Sequence, residues 1–351
     1  MEDVFSIEDV TSGLMPGKAL RLLGRLLVPA RQAYERLAPT VARAGYTLMM
    51  RREEGRDVLV ILNWLPSATP DRPALALVLG LLTVLSMLVT YSLNYTVSAF
   101  TWQAFLGGLG EGLQFTLALV TILVSHEMGH YIVARRFGLA VSLPYLIPFP
   151  LTPFGTMGAI IRMKGIPASR RAMLYTGAAG PIAGLIVCLP ILIVGLMLSQ
   201  VQPLPQGGSY VIEGNSLLYA LLKYLIHGQW LPSNSHDLFM HPLAFAGWAG
   251  LLVTGLNLIP AGQLDGGHVA RAWLGQKAGY LNWVVVGTLI VLGFVWPGWI
   301  IWAALTLLLG RGLQEPLESI TPLSRREAAL AVALLCLFVV TITPVPLRYI
   351  P

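Results

Sequence analysis

Charge is what this sequence has least of. Only 11% of its 351 residues are Asp, Glu, Lys or Arg, against 55% hydrophobic. A soluble domain carries roughly 25% charged residues. The chain therefore has too little polar surface to fold in water alone, and a purely water-soluble globule is excluded. Cysteine is almost missing as well. Cys188 and Cys336 both fall inside apolar runs, which argues against a disulfide framework and for small buried hydrophobes. No internal repeat or low-complexity tract is present. The opening stretch MEDVFSIEDV is acidic and has neither a basic n-region nor an apolar h-region, so no cleaved signal peptide is expected. The net charge of +6 does not indicate nucleic acid, because the basic residues sit at the ends of apolar runs, where they set membrane topology.

Long apolar runs are what the sequence does have. They cover residues 74–93, 115–134, 172–198, 242–259, 281–295, 299–310 and 327–343. The first three approach or exceed the ~20 residues a bilayer requires. The two around 296 meet at WPGW, a turn signal, and read as a hairpin of two spans. The expected fold is mainly α, a polytopic helix bundle of about seven spans. Residues 139–163 are apolar but hold Pro144, Pro148, Pro150 and Pro153, so they cannot form a regular span. They read as a re-entrant loop with a β-hairpin, lying against protein or a water-filled cavity.

Residues 1–72 read as a small cytoplasmic α+β domain, and 73–351 as the membrane domain, with its core at about 110–275. Within the first, residues 16–45 suggest short helices broken at Pro29 and Pro39, and YTLMMRREEGRDVLVIL suggests a hairpin. With a cytoplasmic N-terminus, seven spans place 21 of the 23 basic residues inside and only Lys223 and Arg348 outside. That asymmetry favours the arrangement. The expected location is a bacterial plasma membrane.

The run at 115–134 carries an anomaly, TILVSHEMGHYIVARRFG. His126 and His130 are one helical turn apart and share a face, as two ligands of one tetrahedral zinc must. Glu127 lies beside them and, in an HExxH pattern, serves as general base. A chance match is a weak reading here, because ionisable groups within a span are costly and usually functional. A third ligand is required. The later stretch NLIPAGQLDGGHVARAW offers Asn257, Asp265 and His268. Asp265 is the best candidate, since its charge with that of Glu127 would offset a divalent ion. Turn chemistry ahead of Gly266–Gly267 explains Asp265 equally well when it is taken alone. His227, His236 and His241 read as ordinary polar surface, and His268 as a neighbour of Asp265 or a rim residue.

HEMGH followed by NLIPAGQLDGG resembles the site-2 protease family of intramembrane zinc metalloproteases, which pairs HExxH with NxxPxxxLDG on a later span. TGAAGPIAG resembles the Gly-rich start of the span between them. The stretch 138–163 is similar to the chloroplast and bacterial branch that lacks a PDZ insertion. The resemblance implies one zinc per chain held by His126, His130 and Asp265, with Glu127 as the catalytic acid/base. It also implies that Asn257 orients the substrate or steadies the oxyanion, a role that suits an amide donor. Gly180 and Gly184 read as helix packing.

The implied activity is endoproteolysis of transmembrane segments near the cytoplasmic leaflet, as in regulated intramembrane proteolysis. The expected partners are a membrane-protein substrate and the lipid bilayer, with no nucleic acid. The rival readings are a metal transporter and a catalytically silent membrane scaffold or chaperone. The absence of repeat symmetry weighs against the first, and the intact Glu127 against the second.

Overall fold

The computed structural model describes residues 3–12, 18–63, 70–95, 101–205, 210–310 and 315–350. The first unit is a four-stranded antiparallel sheet in the order β1-β2-β4-β3. Its strands are β1 (Phe5–Ser12), β2 (Lys18–Leu26), β3 (Thr47–Glu53) and β4 (Arg56–Leu62), with α1 (Ala30–Arg43) between β2 and β3. Alternate residues of the strands turn one apolar face to α1, so Phe5, Leu22, Met50 and Leu59 close over the fully buried Ala33. The hairpin expected over 46–62 is present and turns at Glu54–Gly55, both with positive φ. The helices expected over 16–45 are corrected in part. Lys18–Leu26 is a central strand, and α1 carries Pro39 within it rather than breaking there.

The rest is mainly helical. α2 (Pro73–Tyr95) and α3 (Trp102–Arg136) lead into the hairpin of β5 (Tyr145–Pro148) and β6 (Thr156–Ile160). This is the β-hairpin expected among the prolines. α4 (Arg170–Leu198) follows, then the short strands β7 (Gln200–Pro203) and β8 (Tyr210–Glu213), α5 (Leu217–His227) and β9 (His236–Phe239). The chain then forms α6 (Pro242–Asn257), α7 (Asp265–Leu274), α8 (Ala278–Leu292), α9 (Gly298–Gly310), α10 (Arg325–Thr341) and β10 (Leu347–Ile350).

Three helices are long and apolar enough to cross a membrane, Pro73–Asn94, Trp102–Arg136 and Arg170–Leu198. α6, α8, α9 and α10 have 16, 15, 13 and 17 residues, shorter than the ~20 of a full perpendicular span. On α2, Leu77, Leu81 and Leu85 point outward at helical spacing and are more than half exposed. Such a stripe is stable against lipid and not against water.

Ends of elements are set by local chemistry. Thr101 caps α3 through the Ala104 amide, and Arg135 and Arg136 complement the negative end of its dipole. Ser169 caps α4, and a capping box of Ser324 and Glu327 opens α10. α4 lies at the centre, packed against both α3 and α6, with α7 on its N-terminal half. Their shared core holds Phe115, Leu119, Ile122, Leu185, Leu192 and Trp248.

Two sets of main-chain bonds join distant parts. In the first set, the Met50 amide donates to Leu317, the Ser319 amide to Met50, and the Leu317 and Glu318 amides to Pro167 and Ala168. The sheet unit is thereby tied to the segments before α4 and α10. In the second set β10 pairs antiparallel with β8. There Lys223, fully buried, donates to Glu213 at 3.2 Å and lies over the Tyr219 ring.

Candidate metal centre

α3 carries His126 and His130 on the face it turns towards α4. That face can approach closely because α4 presents glycine. A Cβ at Gly180 would overlap His130 Nε2, and one at Gly184 would sit 3.2 Å from His126 Nδ1. The packing expected of these two glycines is therefore packing against the histidines themselves. α4 also orients one ring. His130 Nδ1 lies 2.7 Å from the Thr176 carbonyl, to which it donates, leaving the Nε2 lone pair available as a ligand. A backbone carbonyl that fixes the tautomer in this way is the usual support of a metal-binding histidine.

Asp265 comes from the other direction. Residues 258–264 turn the chain back after α6, and Asp265 is the first residue of α7. The turn is tight enough that a Cβ at Gly266 would overlap the Leu258 carbonyl, which accounts for the glycine after the aspartate. The side chain makes no capping bond at its helix. Its Oδ2 instead lies 3.2 Å from His126 Nε2 and 3.2 Å from His130 Nε2, and the two Nε2 atoms are 3.2 Å apart. The positive end of the α7 dipole favours the carboxylate at this position.

This triangle fits zinc. Tetrahedral zinc with bonds of ~2.0–2.1 Å separates its ligands by about 3.3 Å. Two imidazoles and one carboxylate are an ordinary donor set for it. His126, His130 and Asp265 form the one such group of three or more potential ligands among the described residues.

The triangle opens onto a cavity of about 400 Å³. Glu127 lines it, with 7% exposure, and its carboxylate accepts from the Ile161 backbone just beyond β6. The Asn257 amide, at the end of α6, lies 3.4 Å from His126 Nε2 and faces the same point. The strand-like run 159–163 and residues of the turn and helix between 262 and 271 also line it. All five residues singled out by the motifs thus meet at one place. His268 lines the same cavity, whereas His236 and His241 serve local turns and caps elsewhere. Sequence reasoning missed Thr176, Ile161, Arg162 and Arg271. The first two act through their backbone and carry no side-chain signal, and the arginines read as topology charges.

A first prediction follows from the contact at Gly180. Gly180→Ala forces His130 to move, so bound zinc should fall several-fold while Gly184→Ala, with 3.2 Å of room, retains more. Metal analysis of the two purified variants checks this. Equal zinc in both would show that the α3–α4 spacing does not constrain the histidine.

The peptidase family M50 model matches residues 114–294, which include the whole of this site. "Probable zinc metalloprotease EGY2, chloroplastic" of Arabidopsis thaliana is 32% identical over 247 residues, covering 69% of this chain and 43% of that protein. "Probable zinc metalloprotease EGY1, chloroplastic" of the same plant is 31% identical over 66% of this chain and 43% of its own length. "Zinc metalloprotease MJ0392" of Methanocaldococcus jannaschii is 30% identical over 168 residues, covering 48% of this chain and 36% of that protein. The chain spans less than half the length of these relatives. No solved structure matches it.

Proposed function

The chain belongs to peptidase family M50, and on that premise we propose that it is an intramembrane zinc endopeptidase that cuts transmembrane segments of other membrane proteins. The observation that carries this reading is the 3.2 Å triangle of His126, His130 and Asp265, with Glu127 beside it, inside an apolar helix bundle. His126, His130 and Asp265 would hold one zinc. Zinc, when bound, supplies Lewis acidity, which acidifies water and polarises a carbonyl.

The protein's own residues account for the remaining chemistry. Glu127 takes the proton of the attacking water and passes it to the leaving amide nitrogen. Asn257 donates its amide hydrogen to the oxygen on which charge develops. A helical substrate hides its peptide bonds in its own hydrogen bonds, so the segment has to unwind. β6 lies along the cavity with Met157 and Ile160 exposed, and supports strand addition by the unwound segment.

The same reading includes seven spans with the N-terminal sheet in the cytoplasm. The bonds of 317–319 with Met50, Pro167 and Ala168, and the pairing of β8 with β10, support this reading, because seven alternating crossings would bring the first group together on one face and the second on the other. In a Cys336→Ser background, Arg326→Cys should resist a membrane-impermeant thiol reagent in intact cells, and Asn234→Cys should react. The reverse pattern would overturn the topology.

The activity is tested with purified protein and a panel of single-span substrates, with and without a chelator. Cleavage that the chelator stops and zinc restores is expected. Intact zinc binding without cleavage of any substrate would instead favour a silent scaffold.

A further inference from the structure

α4 passes the metal centre at Thr176–Gly184 and runs on to Leu198. Its exposed large hydrophobic side chains are Ile182, Ile186, Ile193, Val194, Met197 and Leu198. They cover about 24 Å of helix at 1.5 Å per residue. In a bilayer with a hydrocarbon core of ~30 Å, lipid therefore reaches the last residue of α4.

α5 packs at the level of that end. Leu218, Leu222 and Ile226 pack into the core that includes Leu192 and Leu196, and the His227 ring meets the Leu196 backbone. The other face of α5 is apolar and uncovered among the described residues. Leu217, Leu221, Tyr224 and Leu225 are exposed and fall within about 100° of one side of the helix, the width of an amphipathic stripe. The charged residue of α5, Lys223, is turned inward, fully buried on Glu213. Both helix ends are capped, by the Ser216 side chain on the Tyr219 amide and by the Gly228 amide on the Tyr224 carbonyl. The stripe thus presents no charge, as hydrocarbon demands.

At 11 residues, α5 is too short to cross a membrane. Just beyond it the exposed Trp230 stacks on Tyr224 with ring centroids 4.6 Å apart, and the exposed polar residues Asn234, Ser235 and His236 follow. Trp and Tyr concentrate at the headgroup level of a bilayer. We infer that α5 is embedded in the outer leaflet without crossing it, its Leu217–Leu221–Leu225 stripe against acyl chains and Tyr224 with Trp230 at the headgroup boundary. The partner of this surface is lipid, continuous with the lipid around α4, and the inference rests on the membrane reading of the helix bundle.

The test uses the full-length protein in phosphatidylcholine vesicles, with one spin-labelled cysteine at a time in a Cys336→Ser background, where Cys188 is fully buried. Leu221→Cys and Leu225→Cys probe the stripe, Ile186→Cys the lipid face of α4, and Asn234→Cys the aqueous side. Collisions with oxygen, which concentrates in hydrocarbon, are compared with collisions with a nickel chelate that stays in water. Oxygen should dominate several-fold at 221 and 225, as at 186, and the chelate should dominate at 234. All four positions are exposed, and Leu217→Cys replaces either stripe variant that fails to fold.

Dominance of the chelate at 221 and 225 would make the stripe an aqueous surface and overturn the inference. Exclusion of both reagents there would mean that protein covers the stripe, which overturns it equally. Dominance of the chelate at 186 would overturn the membrane reading, and the inference with it.

Discussion

Glu127→Gln should keep its zinc and its fold and lose cleavage by a factor of about 10²–10⁴, the usual contribution of a general base. The substitution keeps the size of the side chain and an oxygen to accept from the Ile161 backbone. It removes only the capacity to take a proton. Glu127 follows His126 on α3, so its side chain leaves the helix about 100° away from that of His126. It is accordingly outside the group of converging ligand atoms but in the wall of the same cavity. Loss of one negative charge leaves the site more positive, so zinc affinity falls modestly, and rates must be compared at matched zinc content. The same measurement separates the rival functions. A scaffold would be indifferent to this change, and a transporter would retain flux with a peripheral carboxylate altered. Equal cleavage by variant and wild type would refute the assigned role.

The site was legible in the sequence because both its parts obey local rules. A four-residue separation places His126 and His130 on one helical face, whatever surrounds them. Asn257, Pro260 and the Leu264–Gly266 step lie within one short turn, so their order in the chain nearly fixes their order in space. What could not be read is whatever depends on a second element crossing the first. Thr176 supports His130 through a carbonyl that every residue possesses, and Gly180 matters only because α3 passes over it.

The sheet unit shows the same limit. Lys18, Arg21 and Arg25 recur at helical spacing, yet Lys18–Leu26 is a strand, because both its edges are bonded, to β1 and to β4. Tertiary pairing overrides spacing in so short a segment. β1, short and with Glu8 and Asp9 side by side, gave no signal before its partner was known. The tie between 317–319 and Met50 joins residues far apart in the chain and is likewise invisible locally.

The His126→Ala, His130→Ala double variant should bind no zinc at this site and show no cleavage above background, and the effect should be on the metal rather than on the fold. Each Nε2 supplies one corner of the 3.2 Å triangle, so removing both leaves Asp265 as a single half-buried carboxylate without its two histidine partners. One carboxylate does not hold zinc against water. Loss of the rings also removes the hydrogen bond that His130 donates to the Thr176 carbonyl, a net loss of about 0.5–1.5 kcal/mol. Some destabilisation is therefore expected for reasons unrelated to zinc, and loss of activity alone would not identify the cause. Thermal unfolding in detergent distinguishes the two. Zinc at a thousand times its Kd stabilises a folded site by ~4 kcal/mol, so adding zinc to chelator-treated wild type should raise its Tm and restore cleavage together. The double variant should show a lower Tm that zinc does not move. A normal zinc content in that variant, or a zinc-dependent rise in its Tm equal to that of wild type, would place the metal elsewhere in the molecule.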